Sequence, residues 1–234
     1  MPSRQDAPHP HHVILDPTSN FLFVPDLGAD LIRIYSIDQS TGTLTSCEDA
    51  KATPGDGPRH ATFWTSEDAG TMLFVANELA NTVTRYSVSY PDDGACPSAT
   101  LEQDLTPYAD NAAVPDGMKV AEVRVKENFL YMANRNDQAF EPDDSMTQYA
   151  ICPKDGSLSF VALTSSHGWY PRTFDINAAG DMVAIGDQTS SNLVVVARDT
   201  ETGELGDVIG DLRIGPEGTP EREDGLSSVV WAES

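Results

Sequence analysis

Side chains able to bind anions or move protons gather in four short segments: His9-Pro-His-His12, Gly57-Pro-Arg-His60, Ala121-Glu122 and Tyr170-Pro-Arg-Thr173. The five histidines of the chain, His9, His11, His12, His60 and His167, lie in or next to them. A second group changes type between otherwise equivalent places: Leu27, Glu78, Arg135 and Gln188. Imidazole takes up or releases a proton near neutral pH. A guanidinium holds carboxylate or phosphate as a planar fork. The chain has 14 Lys+Arg against 37 Asp+Glu, yet it places Arg59, Arg135 and Arg172 at these positions. Basic groups collected on an acidic protein point to an anionic ligand. A second reading stays open: the arginines tie neighbouring segments through carboxylates, and the changing position is a solvated turn.

The elements that must position these groups are read from a repeat. Phe21-Leu-Phe-Val-Pro-Asp-Leu-Gly-Ala-Asp returns as Met72-Leu-Phe-Val-Ala-Asn-Glu-Leu-Ala-Asn, as Phe129-Leu-Tyr-Met-Ala-Asn-Arg-Asn and, more altered, as Asp181-Met-Val-Ala-Ile-Gly-Asp-Gln. The spacing is roughly 50 to 60 residues, the range of propeller blades. A unit of this kind cannot bury its own apolar face, so neighbouring copies must stack. Each copy reads as four strands, predicted at 13–15, 21–24, 31–37 and 43–47; 61–64, 72–76, 82–88 and 101–105; 122–125, 129–133, 146–152 and 158–162; and 173–176, 182–185, 193–197 and 206–214. The runs are short, rich in Val, Ile, Phe and Tyr, and bounded by turn residues. Between third and fourth strands, Ser40-Thr-Gly-Thr, Lys154-Asp-Gly-Ser and Thr202-Gly-Glu supply the glycine that such hairpins need. No helix is predicted. Four strands per repeat mean an all-β chain built as a β-propeller.

Asp26, Asn77, Asn134 and Asp187 occupy one equivalent position, and the recurrence of a short polar side chain assigns it to the scaffold, hydrogen-bonding the turn backbone. The fragment Ser227-Ser-Val-Val-Trp231 reads as the innermost strand of a further blade.

A net charge of −23 repels phosphate backbones and anionic lipid, which excludes nucleic acid and membrane surfaces as expected partners. No apolar run reaches the roughly 18 residues of a membrane span. The N-terminal residues lack the apolar core of a signal peptide, so a cytoplasmic location is expected. Cys47, Cys96 and Cys152 fit no metal-ligand spacing and no dense disulfide framework; the odd count leaves at least one free thiol, and all three read as structural. Serine-elbow, zinc-hydrolase, P-loop and dinucleotide motifs are missing, and no cofactor or metal is expected. Asp92-Asp93 and Asp143-Asp144 lack the spacing of a calcium loop and read as solvated acidic loops.

Pro8-His-Pro-His-His-Val-Ile-Leu-Asp-Pro, the following Phe-Leu-Phe-Val-Pro-Asp-Leu-Gly-Ala-Asp, Gly57-Pro-Arg-His and Asn77-Glu-Leu resemble the lactonase family of seven-bladed β-propellers. That family includes metal-independent 6-phosphogluconolactonases and fungal carboxy-cis,cis-muconate cyclases. The resemblance runs from about His9 to the C-terminus and covers the last four blades with a closing strand, at 9–56, 57–117, 118–168, 169–225 and 226–234 of one propeller domain. It implies an incomplete ring whose open edges invite association. It also implies a catalytic set of His11, Arg59, Glu78 and Arg135. His12, His60, Glu122 and Arg172, at equivalent lead-in positions, are expected beside them as substrate-binding residues. The implied activity is hydrolysis of a phosphorylated or carboxylated lactone. Cycloisomerisation of a carboxymuconate and a non-catalytic binding fragment are the alternatives.

Overall fold

The computed structural model of the protein describes residues 4–220, 222 and 224–232. No α-helix occurs among them, and the 3-10 turn Ala109–Asn111 lies between the second and third sheets. The first sheet is β1 (Ile14–Leu15), β2 (Phe21–Asp26), β3 (Leu31–Ile37) and β4 (Leu44–Ser46), with the unforeseen β5 (Ala50–Lys51) continuing the edge along β3. The second is β6 (Pro58–Ser66), β7 (Gly70–Asn77), β8 (Thr82–Ser89) and β9 (Ser98–Leu105). The third is β10 (Lys119–Lys126), β11 (Phe129–Arg135), β12 (Ser145–Ile151) and β13 (Leu158–Ser165). The fourth is β14 (Pro171–Ile176), β15 (Met182–Asp187), β16 (Asn192–Arg198) and β17 (Leu205–Arg213). Apart from β5, each strand of a sheet pairs with the next in sequence, the meander of a propeller blade.

The chain forms two compact units. The first takes in the described residues up to Leu105 together with Ile151–Leu158; the second takes in Thr106–Ala150 and the described residues from Ser159 on. In the first unit Phe21, Phe23, Ile32 and Ile34 of one sheet pack with Ala61, Leu73, Val75 and Tyr86 of the next. In the second, Tyr131, Ala133 and Met146 pack with Phe174, Val183, Ile185 and Val194. Alternate residues of the middle strands supply these contacts, so each pair of blades shares one core. The hairpin glycines behave as expected: Gly42, Gly156 and Gly203 have φ of 71°, 70° and 73°. A Cβ on Gly156 would lie 2.6 Å from the Met72 side chain, and one on Gly203 would lie 2.6 Å from the Phe129 ring.

Three expectations are corrected. Two inner strands begin earlier than predicted, because Pro58 and Pro171 open β6 and β14 rather than preceding them. A strand's first residue is where a missing N–H is tolerated. The Ser227-to-Trp231 segment is not a strand. It runs along β14, where Val229 N–H donates to the Thr173 hydroxyl and Trp231 Nε1 to the Asp175 carbonyl, without a backbone ladder. Asp144 is not a solvated loop acid: it is fully buried, and its carboxylate accepts the backbone N–H groups of Asn136, Gln138 and Tyr170.

Candidate functional site

The lead-in residues sit on β-bulges. The β6–β7 register slips between Pro58 and His60, the β10–β11 register between Val120 and Val123, and the β14–β15 register between Pro171 and Thr173. Arg59 and Arg172 are therefore the residues left out of the ladder in β6 and β14, and Ala121 and Glu122 together span the slip in β10. A bulge leaves one residue out of the ladder and re-aims its side chain. The position at the end of the second strand is not a solvated turn: Leu27, Glu78, Arg135 and Gln188 are all buried. Backbone N–H groups of Leu27, Glu78 and Gln188 donate to the carbonyls of His9, Gly57 and Tyr170, so the fold ties each such position to its own lead-in segment.

In the first unit, Arg59 Nε donates to Glu78 Oε2 at 2.7 Å, and the two side chains are 2% and 3% exposed. The other carboxylate oxygen, Glu78 Oε1, receives Arg4 Nη2 at 2.6 Å. The Gly57 lead-in is fixed from the first sheet, where Asp30 accepts the N–H groups of Gly55 and Gly57. Three imidazoles form a column beside this strand. His12 and His60 stack with centroids 4.6 Å apart and an interplanar angle of 12°. His11 lies against His60 at 5.0 Å, tilted by 58°. The Ala61 N–H donates to His12 Nδ1 at 3.3 Å, which puts the ring proton of neutral His12 on Nε2. His11 is exposed, with its backbone N–H on the Pro25 carbonyl. The unit thus holds two groups of expected residues, the Arg59–Glu78 pair and the His11–His60–His12 column, on neighbouring residues Arg59 and His60 of β6.

In the second unit, Arg135 is buried. Its Nε and Nη2 donate to the carbonyls of Lys119 and Val120, at 3.2 and 3.0 Å, and its guanidinium lies 5.2 Å from the centre of the Tyr170 ring. Glu122 is buried with its carboxylate 3.7 Å from Arg124 Nη2. Arg172 is half-buried on its bulge. Two residues escaped the sequence reading. Arg4 lies outside the repeat that served as the guide. Tyr170 adopts φ of 70°, a conformation bulky residues avoid, and is held there by its N–H on Asp144 and its carbonyl on Gln188. Its place directly before Pro171-Arg172 was the available signal.

The scaffold position proves chemically varied. Asp26 accepts the backbone N–H groups of His9 and Ala29 and pairs with Arg33. Asn77 donates to the hydroxyls of Thr82 and Thr84, and Asn134 to those of Ser145 and Thr147, so these two bond side chains of the third strand rather than the turn backbone. Asp187 is fully buried, and neither carboxylate oxygen has a hydrogen-bond partner among the described residues. The nearby Ser166 hydroxyl is committed to the Gly168 carbonyl. Burial pushes the Asp187 carboxyl well above its ordinary value, and Asp144, Asp143 and Asp211 push it the same way.

Four-stranded meanders in series, with bulged charged residues on the inner strands, define a β-propeller. The family profile described as Lactonase, 7-bladed beta-propeller matches residues 1–219, and the chain belongs to that family. The chain is 34% identical over 210 residues to the "Probable 6-phosphogluconolactonase" of Arthroderma benhamiae, covering 88% of this chain and 51% of that protein. It is 29% identical over 209 residues to the 6-phosphogluconolactonase of Formosa agariphila, covering 86% and 54%. The solved periplasmic gluconolactonase of Pseudomonas aeruginosa superposes with a TM-score of 0.73 at 27% identity, covering 92% of this chain and 57% of that one. The chain therefore spans about half the length of the curated relatives it matches.

Proposed function

We infer that the chain carries a lactone-hydrolysing site of the 6-phosphogluconolactonase kind, acting on a phosphorylated or carboxylated sugar lactone. The observation that carries this reading is the buried Arg59–Glu78 pair set on a bulge beside the His11–His60–His12 column. The names of the relatives support the same reaction class. In the proposed mechanism exposed His11 removes a proton from water as its oxygen attacks the lactone carbonyl. Arg59, fixed in direction by Glu78, holds the substrate's anionic group and the developing oxyanion. Collapse of the tetrahedral intermediate breaks the bond from the carbonyl carbon to the ring oxygen. That oxygen takes the proton from imidazolium, giving the hydroxy acid. His12 and His60, stacked on the same unit, shape the binding surface. No step calls for a metal or an organic cofactor.

For the compartment, the bond between Cys47 and Cys96 favours an oxidising environment over the cytoplasmic location that the sequence suggested. Among the described residues no helix is long and apolar enough to cross a membrane.

The test of function is hydrolysis of 6-phosphogluconolactone above its spontaneous rate, with a carboxymuconate supplied in parallel. Turnover of the lactone supports the reading. Cyclisation of the muconate with no lactone hydrolysis would replace it with the cycloisomerase reading.

A further inference from the structure

Asp26, Asn77, Asn134 and Asp187 close the second strands of the four blades, and three of them are satisfied from their own third strand. Asn77 donates to Thr82 and Thr84, and Asn134 to Ser145 and Thr147. Asp26, a carboxylate like Asp187, takes Arg33 Nε at 2.8 Å on Oδ2. The strand register makes Leu31, Thr82, Ser145 and Asn192 the residues opposite, and Arg33, Thr84, Thr147 and Val194 the residues two further on. Where Asp26 meets a guanidinium, Asp187 therefore meets an apolar side chain. The Asn192 amide is spent on the His167 carbonyl at 3.2 Å and on Asp211 Oδ1 at 3.4 Å, and Asn192 Oδ1 accepts the Ser190 hydroxyl. Both oxygens of the fully buried Asp187 side chain stay without a hydrogen-bond partner among the described residues. A buried carboxylate is tolerated when it is neutralised or paired.

That side chain faces a cleft. Asp187, Asn192 and Arg213 stand in one row of the fourth sheet, with Val194 and Asp211 in the next. The rows share the face whose Val183, Ile185 and Val196 pack on Tyr131, Ala133 and Met146 of the third sheet. Asp143, Gly168, Ser190, Asn192, Asp211 and Arg213 line a cleft of about 450 Å³ there, the size of a small-molecule site. Gly168 belongs to this lining and also lies on Asp187: a Cβ on it would sit 2.5 Å from Asp187 Cγ and Oδ2. Asp143, Asp144 and Asp211 all act on the Asp187 carboxyl electrostatically, and Asp144 is already held by three backbone N–H groups. The one arginine of the lining is engaged elsewhere: Arg213 Nε donates to the Gly215 carbonyl, and its Nη2 lies 4.0 Å from Glu217.

We propose that this cleft is a binding site for an organic cation that donates N–H hydrogen bonds, a guanidinium above all, with Asp143 and Asp211 at its wall and Asp187 beside Gly168 as the third carboxylate. The bound group supplies in the fourth blade what Arg33 supplies in the first. A metal ion suits the place poorly, since among the described residues no group of three His, Cys, Asp or Glu could hold one. A guanidinium spreads five donors over a plane and serves carboxylates that do not converge on a point. The residues are separate from those of the lactonase reading, so neither assignment rests on the other.

Calorimetric titration of the full chain with butylguanidinium, at about 0.15 M salt where exposed charges are screened, tests this. Wild type is expected to bind it. Asp187→Asn and Asp211→Asn are each expected to weaken binding about tenfold, the scale of one hydrogen bond to a charged group. Asp211 is exposed, so its variant keeps the test valid where the buried substitution disturbs the fold. Tetramethylammonium has the same charge and no N–H donor, and is expected not to bind. N-acetylargininamide separates the sources of the group. Binding of both guanidinium probes supports a site that accepts an arginine residue of a polypeptide; binding of butylguanidinium alone supports a site for a free small molecule. A wild type that binds neither probe, or an affinity that both variants leave unchanged, overturns the proposal. Tetramethylammonium bound as tightly as butylguanidinium overturns it too, as mere attraction to a chain of net charge −23. Calcium bound where the guanidinium probes are not would replace it with a metal site.

Discussion

Glu78 and Arg59 come from the end of β7 and the bulge of β6, and their side chains meet at 2.7 Å in a place where neither is more than 3% exposed. The bulge matters because Pro58 pairs with Asn77 and His60 with Ala76, leaving Arg59 out of register and beside the residue that follows Asn77. A catalytic reading and a structural reading of this pair make different demands, and both can be measured.

On stability, removing one partner of a buried ion pair leaves an uncompensated charge and costs about 3–5 kcal/mol. Glu78→Gln should lower unfolding stability by that order. The double variant Glu78→Gln with Arg59→Met should recover a large part of the loss, because it removes both charges. Urea unfolding midpoints at constant slope decide this. A double variant no more stable than the single one would show that the two side chains are not energetically coupled.

Asp187 supplies a pH-dependent prediction. In the unfolded chain its carboxyl titrates near the ordinary value of 3.8, whereas burial raises that of the folded protein well above it. Between those values the native state holds a proton that the unfolded state has released, so stability falls as pH rises through the window. Asp56, Asp137 and Asp144 are shifted in the same direction, chiefly by burial, and add to the slope. Asp187→Asn, the amide found at the equivalent places Asn77 and Asn134, should flatten the decline and stabilise the protein at pH 7, because the amide carries no charge to be desolvated. Unfolding curves at pH 4.5 and pH 7 measure it. Equal stability of the variant and wild type at pH 7 would contradict the assignment.

The bond between Cys47 and Cys96 closes a loop with a sequence separation of 49, joining the end of the first blade to the β8–β9 connection. A cross-link over such a loop stabilises by about 3–4 kcal/mol in the chain-entropy picture. Thermal unfolding with and without reductant should therefore separate by several degrees, and Cys47→Ser should reproduce the reduced curve. Superimposable curves would show that the bond does not form in the folded protein.

The repeat made the architecture legible in the sequence. Strand–turn–strand copies located the sheets to within a few residues, because alternating apolar residues and positive-φ glycines are local signals. The bulges at Arg59, Ala121-Glu122 and Arg172 were visible only as breaks in the pattern, since a register slip depends on the partner strand. Burial was the least legible property. Leu27, Glu78, Arg135 and Gln188 look like turn residues but are enclosed by their lead-in segments. Asp144 looked solvated and instead organises three backbone N–H groups. Pairing of Cys47 with Cys96 depended on the two loops meeting, which spacing alone does not reveal. Arg4 was missed because it stands outside every repeat copy.

The central claim is that His11 acts as the base of a lactone-hydrolysing site whose anion-holding arm is Arg59. His11 is exposed, so His11→Ala leaves the core untouched and isolates chemistry from folding. The decisive measurement is the rate of 6-phosphogluconolactone hydrolysis, corrected for the spontaneous reaction, in wild type and His11→Ala protein of matched thermal stability. Loss of a general base removes about a factor of 10²–10⁴ in rate. The account expects enzymatic hydrolysis in the wild type and a fall of that order in kcat for the variant, with KM little changed. A variant that hydrolyses the lactone as fast as the wild type would contradict it.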